Sequence, residues 1–248
     1  MNPIIIIPSR MASTRLPGKP LALIHGRAMI LHVLDRAREA GIGPVAVACA
    51  DQVIADAVTA DGGIAVMTDP SLPSGSDRVH AALATLDPQG LHDVVVNLQG
   101  DFPTVPPVQL RAVITPLSDP AVDIATLVTP IETEEERLAP QVVKAACAFE
   151  RGRAVSPALY FSRVPIPSGP GPLWHHIGIY AYRRAALARF VSLPESPLER
   201  RESLEQLRAL EAGMRISCAR VEHGAFGVDT PADLERARQV LTPKVRAA

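Results

Sequence analysis

Apolar runs of strand length alternate with helix-spaced stretches through the first half of the chain. Five apolar runs are typical of strands covered on both faces: Ile4–Ile7, Val45–Cys49, Ile64–Met67, Val94–Leu98 and Ile124–Val128. Between them, apolar residues recur at helical spacing in four stretches: Met29–Gly41, Val53–Ala60, Arg78–Leu86 and Val108–Leu117. This alternation predicts an α/β protein with a doubly wound, mostly parallel sheet, whose ligands bind beyond the carboxyl ends of the strands.

The second half of the chain predicts a mixed β extension. Strands joined by turns are expected at Val142–Phe149, Ala154–Phe161 and His175–Tyr182, with a Pro/Gly-rich surface loop at Pro165–Pro172. A helix over Pro197–Ala212, a strand over Ile216–Val221 and a helix over Pro231–Leu241, capped by Thr230, follow. We find no internal repeat or long linker and therefore expect a single domain over residues 1–248.

Composition and charge exclude several classes of protein. The 248 residues carry 25 Lys+Arg against 26 Asp+Glu, which is too balanced for a nucleic-acid-coating protein or an acidic disordered tail. The longest uninterrupted apolar run, Val45–Ala50, is far shorter than the roughly 20 residues that cross a bilayer, and no cationic segment precedes the first apolar run, Ile4–Ile7. We therefore expect a cytoplasmic protein without nucleic-acid or membrane partners. The three cysteines are widely spaced among apolar residues, which predicts buried thiols.

Lysine is scarce beside arginine. Only Lys19, Lys144 and Lys244 occur, so 22 of the 25 basic residues are Arg. A retained Lys can mark a position where a planar guanidinium cannot replace a compact ammonium, and chance is the alternative explanation for the scarcity of lysine. We expect Lys244 to be solvated and Lys144 to reach water from a sheet edge.

The first predicted strand is followed by a loop rich in cations. Residues 1–34 contain no Asp or Glu but carry Arg10, Arg15, Lys19 and Arg27. Three of these lie in the segment Pro8–Pro20, which we call the cationic loop. Arginine forks and a lysine point charge suit a polyanion such as a phosphate chain. The loop matches neither the Walker pattern nor the dinucleotide fingerprint, and a merely solvated basic loop is the alternative.

The residues from Ile7 to Pro20, Ile-Pro-Ser-Arg-Met-Ala-Ser-Thr-Arg-Leu-Pro-Gly-Lys-Pro, resemble the signature loop of sugar-nucleotide cytidylyltransferases, specifically the 3-deoxy-manno-octulosonate (Kdo) cytidylyltransferase family. Further segments resemble that family in the same order: Ser74–Arg78, Asn97–Asp101, His176–Tyr180, Ser196–Glu199, Leu204–Arg208 and Gly227–Pro231. The resemblance implies a nucleotide-diphospho-sugar transferase-like fold. It assigns residues 1–130 mainly to CTP, 131–226 mainly to the sugar and a dimer contact, and 227–248 to a returning metal-site segment.

The resemblance also implies a reaction. The anomeric hydroxyl of an acidic eight-carbon sugar attacks the α-phosphate of CTP and releases pyrophosphate, in a cytoplasmic homodimer that uses Mg²⁺ and activates the sugar for lipopolysaccharide synthesis. The implied nucleotide-binding residues are Pro8, Ser9, Arg10, Ser13, Arg15, Lys19, Ser74, Arg78 and Asp101. Lys19, Arg10, Asp101 and Asp229 are expected to be catalytic, with both aspartates holding the metal. Alternatively, Asp229 belongs to a helix cap and Asp101 to a turn.

For the sugar acid, the resemblance indicates Gln99, Arg163, His176, Tyr180, Glu205 and Gln206. Arg163 would pair with the sugar carboxylate, while Glu205 and Gln206 would bind ring hydroxyls. A satisfied, half-buried histidine at 176 and a solvated helix face at 205 are the alternatives. No general base stands out, and we hypothesise that Asp229 helps to activate the attacking hydroxyl.

The chain departs from the family pattern in three places, and two other functions are alternatives. Phe102 stands where the family often has an acid, Asp77 stands where Glu is more usual, and the loop Pro165–Pro172 is short. One alternative is a cytidylyltransferase for another acidic sugar, such as sialic acid or 8-amino-Kdo. The other is a nucleotide-binding regulator that has lost catalysis.

Overall fold

The computed structural model describes residues 1–242, so Lys244 lies outside the described residues. The chain forms two compact units that do not follow chain order. The parallel unit comprises Ile5–Gln89, Leu98–Pro107 and the segment from Ala225 to Thr242; the mixed unit comprises Met1–Ile4, Gly90–Asn97 and Val108–Gly224. In the described part of the chain, no helix is both long enough and apolar enough to span a membrane. The division of 1–248 into three functional regions stays a prediction.

The parallel unit is built on three parallel strands in the order β5-β4-β1. The strands are β1 (Pro3–Ser9), β4 (Val45–Cys49) and β5 (Ile64–Met67), with a hairpin of β2 (Leu23–Ile24) and β3 (Arg27–Ala28). The helices are α1 (Met29–Ala40), α2 (Gln52–Ala60), α3 (Gly75–Leu86) and α9 (Pro231–Val240). Every residue of β1 is buried, as its continuous apolar run predicts.

The last helix begins at a complete capping box. The Thr230 hydroxyl accepts a hydrogen bond from the Asp233 amide (3.2 Å), the Asp233 carboxylate accepts one from the Thr230 amide (2.9 Å), and Pro231 is the first helical residue. This start is the one the sequence predicts. Leu234 packs with Ile24 of the hairpin in one apolar cluster. The cap and this cluster hold the residue before the cap, Asp229, in a defined place.

The mixed unit contains six strands in the order β6-β10-β7-β11-β9-β8. They are β6 (Val94–Asn97), β7 (Ile124–Pro130), β8 (Lys144–Cys147), β9 (Val155–Ser162), β10 (Trp174–Arg183) and β11 (Ile216–Arg220). Because β8 also pairs with β10, the strands β10, β7, β11, β9 and β8 close into a ring. The helices are α4 (Pro107–Val113), α5 (Glu134–Leu138), α6 (Arg184–Ser192), α7 (Pro197–Glu202) and α8 (Gln206–Glu211).

The predicted α/β class, with parallel and antiparallel strands, is confirmed. One neighbour relation differs from the pattern of the first half. The strands β6 and β7 are successive in the predicted parallel series, but β10 lies between them and runs antiparallel to both. Strand pairing over such a distance along the chain is decided by packing, which local periodicity does not contain.

The single helix predicted over 197–212 is wrong. The helix α7 ends at Glu202, Ser203 adopts a left-handed conformation (φ 53°, ψ 49°), and α8 begins at Gln206. The two short helices are joined by a bidentate ion pair, in which Arg208 donates to both carboxylate oxygens of Glu199 at 2.6 and 2.8 Å. Apolar spacing alone did not reveal the break. Serine rarely adopts the left-handed conformation, so the presence of Ser203 did not predict one.

The prediction that Lys144 reaches water from a sheet edge is also wrong. The strand β8 pairs on both sides, so Lys144 is fully buried. Its ammonium donates to the carbonyl of Ala139 at 2.7 Å and to that of Arg163 at 3.4 Å. Burial lowers the pKa of Lys144.

The cysteines are free thiols. Cys49 and Cys218 are buried, as predicted, whereas Cys147 is half-buried. Burial raises the pKa of Cys49 to about 12, which keeps this thiol protonated and unreactive at neutral pH.

Candidate active site

The parallel unit contains a cavity of about 700 Å³ beside the end of β1. Gln99 and Asp229 line this cavity. So do all nine residues predicted to bind the nucleotide: Pro8, Ser9, Arg10, Ser13, Arg15, Lys19, Ser74, Arg78 and Asp101. The structure therefore brings the cationic loop, the start of α3 and both predicted metal-binding aspartates to one place. Their roles toward a ligand stay predictions.

Local backbone geometry aims Lys19 into this cavity. Gly18 has a left-handed conformation (φ 68°), which a residue without Cβ adopts freely, and a short 3₁₀ helix runs from Lys19 to Leu21. Within the cationic loop, the Ser13 hydroxyl accepts a hydrogen bond from the Leu16 amide at 3.3 Å. The loop thus has internal order before any ligand binds.

Asp101 reaches the cavity through a close backbone contact. A Cβ added to Gly100 would lie 2.9 Å from the carbonyl oxygen of Pro8, so only glycine lets this turn approach the end of β1. The Asp101 carbonyl accepts a hydrogen bond from the Val228 amide at 2.8 Å. That bond ties the segment carrying Asp229 to the turn carrying Asp101.

The Lys19 ammonium lies between the two carboxylates. It is 2.7 Å from Asp101 Oδ2 and 3.0 Å from Asp229 Oδ1, and only 16% of its side chain is exposed. Burial lowers the pKa of Lys19, but the two carboxylates outweigh burial and the net shift is upward. The lysine is therefore a stable cation in this cavity. Burial raises the pKa of Asp101, and Lys19 offsets that effect only in part.

Arginines complete the positive lining of the cavity. Arg15 pairs with Asp229 Oδ2 at 3.0 Å while 64% of its side chain is exposed, so it is free to change partner. Arg78 is buried and donates to the hydroxyl of Thr68 (2.6 Å) and the carbonyl of Asp69 (3.0 Å). Burial and the neighbouring charge of Arg10 lower the pKa of Arg78. These cations suit a polyanionic ligand.

Two further predicted residues have distinct surroundings. The Ser74 hydroxyl caps α3, accepting from the Asp77 amide at 3.2 Å and donating to the Asp77 carboxylate at 2.6 Å. Its predicted contact with the nucleotide would have to compete with this cap. The Ser9 hydroxyl lies buried in the cavity lining without a hydrogen-bond partner among residues 1–242, which suits a ligand contact.

The two carboxylates fit a hard divalent cation. Asp101 Oδ1 is buried and hydrogen-bonds to no other residue in the described part of the chain, while 41% of the Asp229 side chain is exposed. Mg²⁺ usually takes one or two protein carboxylates together with phosphate oxygens and waters. Phe102, which is buried, adds no oxygen ligand beside them. The predicted Mg²⁺ site is chemically consistent with this donor set.

Sequence reasoning missed Asp51. Its carboxylate accepts a hydrogen bond from the Met11 amide at 2.8 Å and so anchors the cationic loop. A signal was present, because Asp51 follows the carboxyl end of β4, which pairs directly with β1. An acid at the end of a neighbouring strand is well placed to hold a loop that leaves the first strand.

Five of the six residues predicted to bind the sugar lie in the mixed unit: Arg163, His176, Tyr180, Glu205 and Gln206. His176 and Tyr180 share one strand, with ring centroids 5.4 Å apart. The Thr126 hydroxyl lies 2.9 Å from His176 Nε2. Burial lowers the pKa of His176 to about 3, so this imidazole is neutral at physiological pH and offers a hydrogen bond rather than a charge.

The guanidinium of Arg163 is engaged by backbone carbonyls. It donates to Glu202 (2.6 Å), Ser203 (2.9 Å) and Pro140 (3.2 Å). Pairing with a sugar carboxylate, as the sequence predicts, would have to use its remaining N–H groups. Gln206 is buried, and its Nε2 has no hydrogen-bond partner among residues 1–242, which is the more direct indication of a ligand.

A parallel-stranded unit whose strand ends gather cations and two carboxylates around one cavity is typical of a nucleotidyltransferase. The family model described as Cytidylyltransferase matches residues 4–216.

Relatives narrow the class. A 3-deoxy-manno-octulosonate cytidylyltransferase of Rhodospirillum centenum is 62% identical over 246 residues, covering 99% of this chain and 96% of the relative. One of Paramagnetospirillum magneticum is 61% identical over 241 residues, covering 97% and 98%. The chain belongs to the cytidylyltransferases, and among them to the 3-deoxy-manno-octulosonate cytidylyltransferase family.

Solved structures agree with this family. A CMP:2-keto-3-deoxy-manno-octonic acid synthetase complexed with CTP superimposes with a TM-score of 0.87 at 41% identity, covering 97% of this chain and 98% of the other. A 4-diphosphocytidyl-2C-methyl-D-erythritol synthase has a TM-score of 0.65 at 15% identity, with the same coverage, and supports the fold alone.

The buried, neutral His176 makes the stability of the protein sensitive to acid. As the pH falls from about 6.5 toward about 3, the unfolded chain binds a proton on this imidazole that the folded chain does not bind. The free energy of unfolding of the wild type should therefore fall more steeply with decreasing pH than that of His176→Asn. Urea unfolding between pH 7 and pH 4 measures this slope. His223→Asn, at an exposed position, is the control, and parallel curves for wild type and His176→Asn would contradict the expectation.

Proposed function

We propose that this protein transfers the cytidylyl group of CTP to 3-deoxy-manno-octulosonate, forming CMP-Kdo and pyrophosphate. The observation that carries the proposal is the cavity of the parallel unit, in which Lys19, Arg10 and Arg15 face Asp101 and Asp229. The relatives named for this activity support the choice of sugar. The CTP complex of the solved synthetase supports the choice of nucleotide.

The proposed reaction is a displacement at phosphorus. The anomeric hydroxyl oxygen of the sugar bonds to the α-phosphorus of CTP, the bond from that phosphorus to the bridging oxygen of the β-phosphate breaks, and the hydroxyl proton passes to solvent. Negative charge grows on the leaving pyrophosphate, so fixed cations stabilise the transition state more than the ground state. Lys19 would meet this charge at the α-phosphate, and Arg10 and Arg15 would hold the β- and γ-phosphates. The hypothesis that Asp229 helps to remove the proton stays open.

Asp101 and Asp229 are proposed to hold Mg²⁺. When bound, the ion would neutralise charge on the phosphate oxygens. In the structure the Lys19 ammonium lies between both carboxylates and Arg15 also pairs with Asp229, so both aspartates already have cationic neighbours. Binding of the ion would leave Lys19 and Arg15 to contact the phosphates.

We also propose a cytoplasmic location and a role in lipopolysaccharide synthesis, because the chain resembles the family in its motifs.

The sugar specificity separates the proposal from its alternatives. With CTP and Mg²⁺, pyrophosphate release should be fast with 3-deoxy-manno-octulosonate and slow with its 8-amino analogue and with sialic acid. A coupled pyrophosphate assay over this panel of sugar acids measures the difference. Turnover with sialic acid alone would contradict the choice of sugar. CTP binding without turnover on any acid would favour the nucleotide-binding regulator instead.

Lys19→Arg tests the role of the ammonium. The space between Asp101 and Asp229 holds a compact charge at 2.7 and 3.0 Å, and a planar guanidinium cannot occupy it in the same way. We expect kcat to fall by roughly 100-fold, as for loss of one transition-state donor. Steady-state kinetics give the value. Arg38→Lys, at an exposed ion pair, is the control, and near-wild-type turnover of Lys19→Arg would show that lysine is not required there.

We further propose that the protein is a homodimer, joined through an apolar patch of the mixed unit. We propose that this patch is formed by Leu138, Leu159 and Val164, each more than 60% exposed. Lys144 donates hydrogen bonds to the carbonyls of Ala139 and Arg163, which are the chain neighbours of Leu138 and Val164. Large apolar side chains grouped on a surface are typical of a protein interface.

Leu159→Asp should disrupt this dimer, because a charge placed in an apolar contact must be desolvated. Sedimentation velocity on the wild type and the variant measures the change from dimer to monomer. Leu91→Asp, at another exposed leucine of the same unit, should leave the dimer intact. A monomeric wild type, or an unchanged Leu159→Asp variant, would contradict the proposed interface.

A further inference from the structure

The break between α7 and α8 carries an unusual backbone conformation. Ser203 is left-handed, and among residues 1–242 the only other non-glycine residue with positive φ is His25. Such a conformation is unfavourable for an L-residue with a Cβ, so surrounding contacts must hold it. It lies directly before Leu204-Glu205-Gln206, which contains two residues predicted to bind the sugar.

Four hydrogen bonds hold this break against the end of β9. Arg163 donates from Nε to the Glu202 carbonyl (2.6 Å) and from Nη2 to the Ser203 carbonyl (2.9 Å). In return, the Glu202 carboxylate accepts from the Arg163 amide (3.0 Å) and the Ser162 hydroxyl (3.0 Å). We call Ser162, Arg163, Glu202 and Ser203 the Glu202 clasp. Charge-assisted bonds of this kind are stronger than neutral ones and fix orientation.

Gln206, which follows the clasp in the chain, has a buried hydrogen-bond donor without a partner among the described residues. Gln206 is 5% exposed, and its Nε2 has no partner among the described residues. A buried donor left without a partner is costly, so an acceptor from a ligand would satisfy it. The charge of Glu205 contributes to the raised pKa of the Tyr180 phenol, after burial and the effect of Tyr182. These groups lie in the mixed unit, and none of them lines the nucleotide cavity.

We propose that Glu202 and Arg163 are positioning residues that hold Ser203 left-handed and thereby aim Glu205 and Gln206 at the sugar acid. This inference rests on the proposed function. Arg163 acts through backbone carbonyls rather than by pairing with the carboxylate of the sugar. Both carboxylate oxygens of Glu202 already accept hydrogen bonds, Oε1 from the Ser162 hydroxyl and Oε2 from the Arg163 amide, so we expect Glu202 to affect sugar binding through the backbone.

The test compares substitutions that change the conformation of residue 203 with others that change the clasp. Ser203→Val disfavours the left-handed region, whereas Ser203→Gly adopts it without a Cβ penalty. In the pyrophosphate assay, Glu202→Ala, Arg163→Lys and Ser203→Val should each raise KM for the sugar acid by about tenfold or more. KM for CTP should be unchanged, because the clasp does not line that cavity. Ser203→Gly should stay within about twofold of the wild type and should partly restore Glu202→Ala.

Controls separate positioning from general loss of structure. Arg200→Ala removes an exposed pair on the same short helix and should leave both KM values unchanged. If Glu202→Ala fails to fold, the comparison of KM for the sugar acid between Ser203→Val and Ser203→Gly still tests the inference. An unchanged KM for the sugar acid in Ser203→Val would overturn the inference. A KM for the sugar acid that rises in Arg163→Lys but not in Glu202→Ala would also overturn it. A wild type that releases no pyrophosphate with any sugar acid would refute the proposed function, whereas the first two results would refute the clasp alone.

Discussion

The ion pairs of Lys19 with Asp101 and Asp229 are the contact on which the candidate active site depends. They join positions 82 and 210 residues apart in the chain, so three separate segments meet at one ammonium. Lys19 and Asp101 are largely withdrawn from water, so loss of either one would leave the other charge buried without that partner, whereas Asp229 is more exposed. The rest of the parallel unit serves to make this meeting possible, through a rigid first strand, a loop that turns back and a capped last helix.

Two glycines set the distances in this cluster. Gly18 supplies the left-handed step that carries the chain into the turn at Lys19, and Gly100 lets the turn before Asp101 approach the carbonyl of Pro8. Both act through the backbone, where an extra Cβ would cost strain at the first position and a collision at the second. The positions of the charged groups therefore depend on two residues without a side chain, Gly18 and Gly100. Asp51 adds an anchor on the loop itself.

Two cations of the mixed unit act differently. Lys144 and Arg163 donate mainly to backbone carbonyls, which fixes turns and strand ends rather than forming ion pairs. His176 is held neutral by burial and bonded to Thr126. The polar groups of this unit consequently orient one another and present little net charge, in contrast to the parallel unit. A weakly charged, ordered set of donors and acceptors suits recognition of hydroxyl groups, whereas concentrated charge suits phosphates.

The sequence alone determined those features that depend on neighbouring residues. The runs of β1 and β4, the Thr230 cap and the cationic loop were predictable because periodicity, capping and local charge act over a few positions. Most cavity-lining residues were predicted from the resemblance of their motifs to those of the cytidylyltransferase family. Only the tertiary structure decided the insertion of β10 between β6 and β7, the left-handed Ser203, the buried Lys144 and the loop anchor Asp51. Each of these depends on a partner that lies far away in the chain, and a contact over that distance leaves no periodic trace in the sequence.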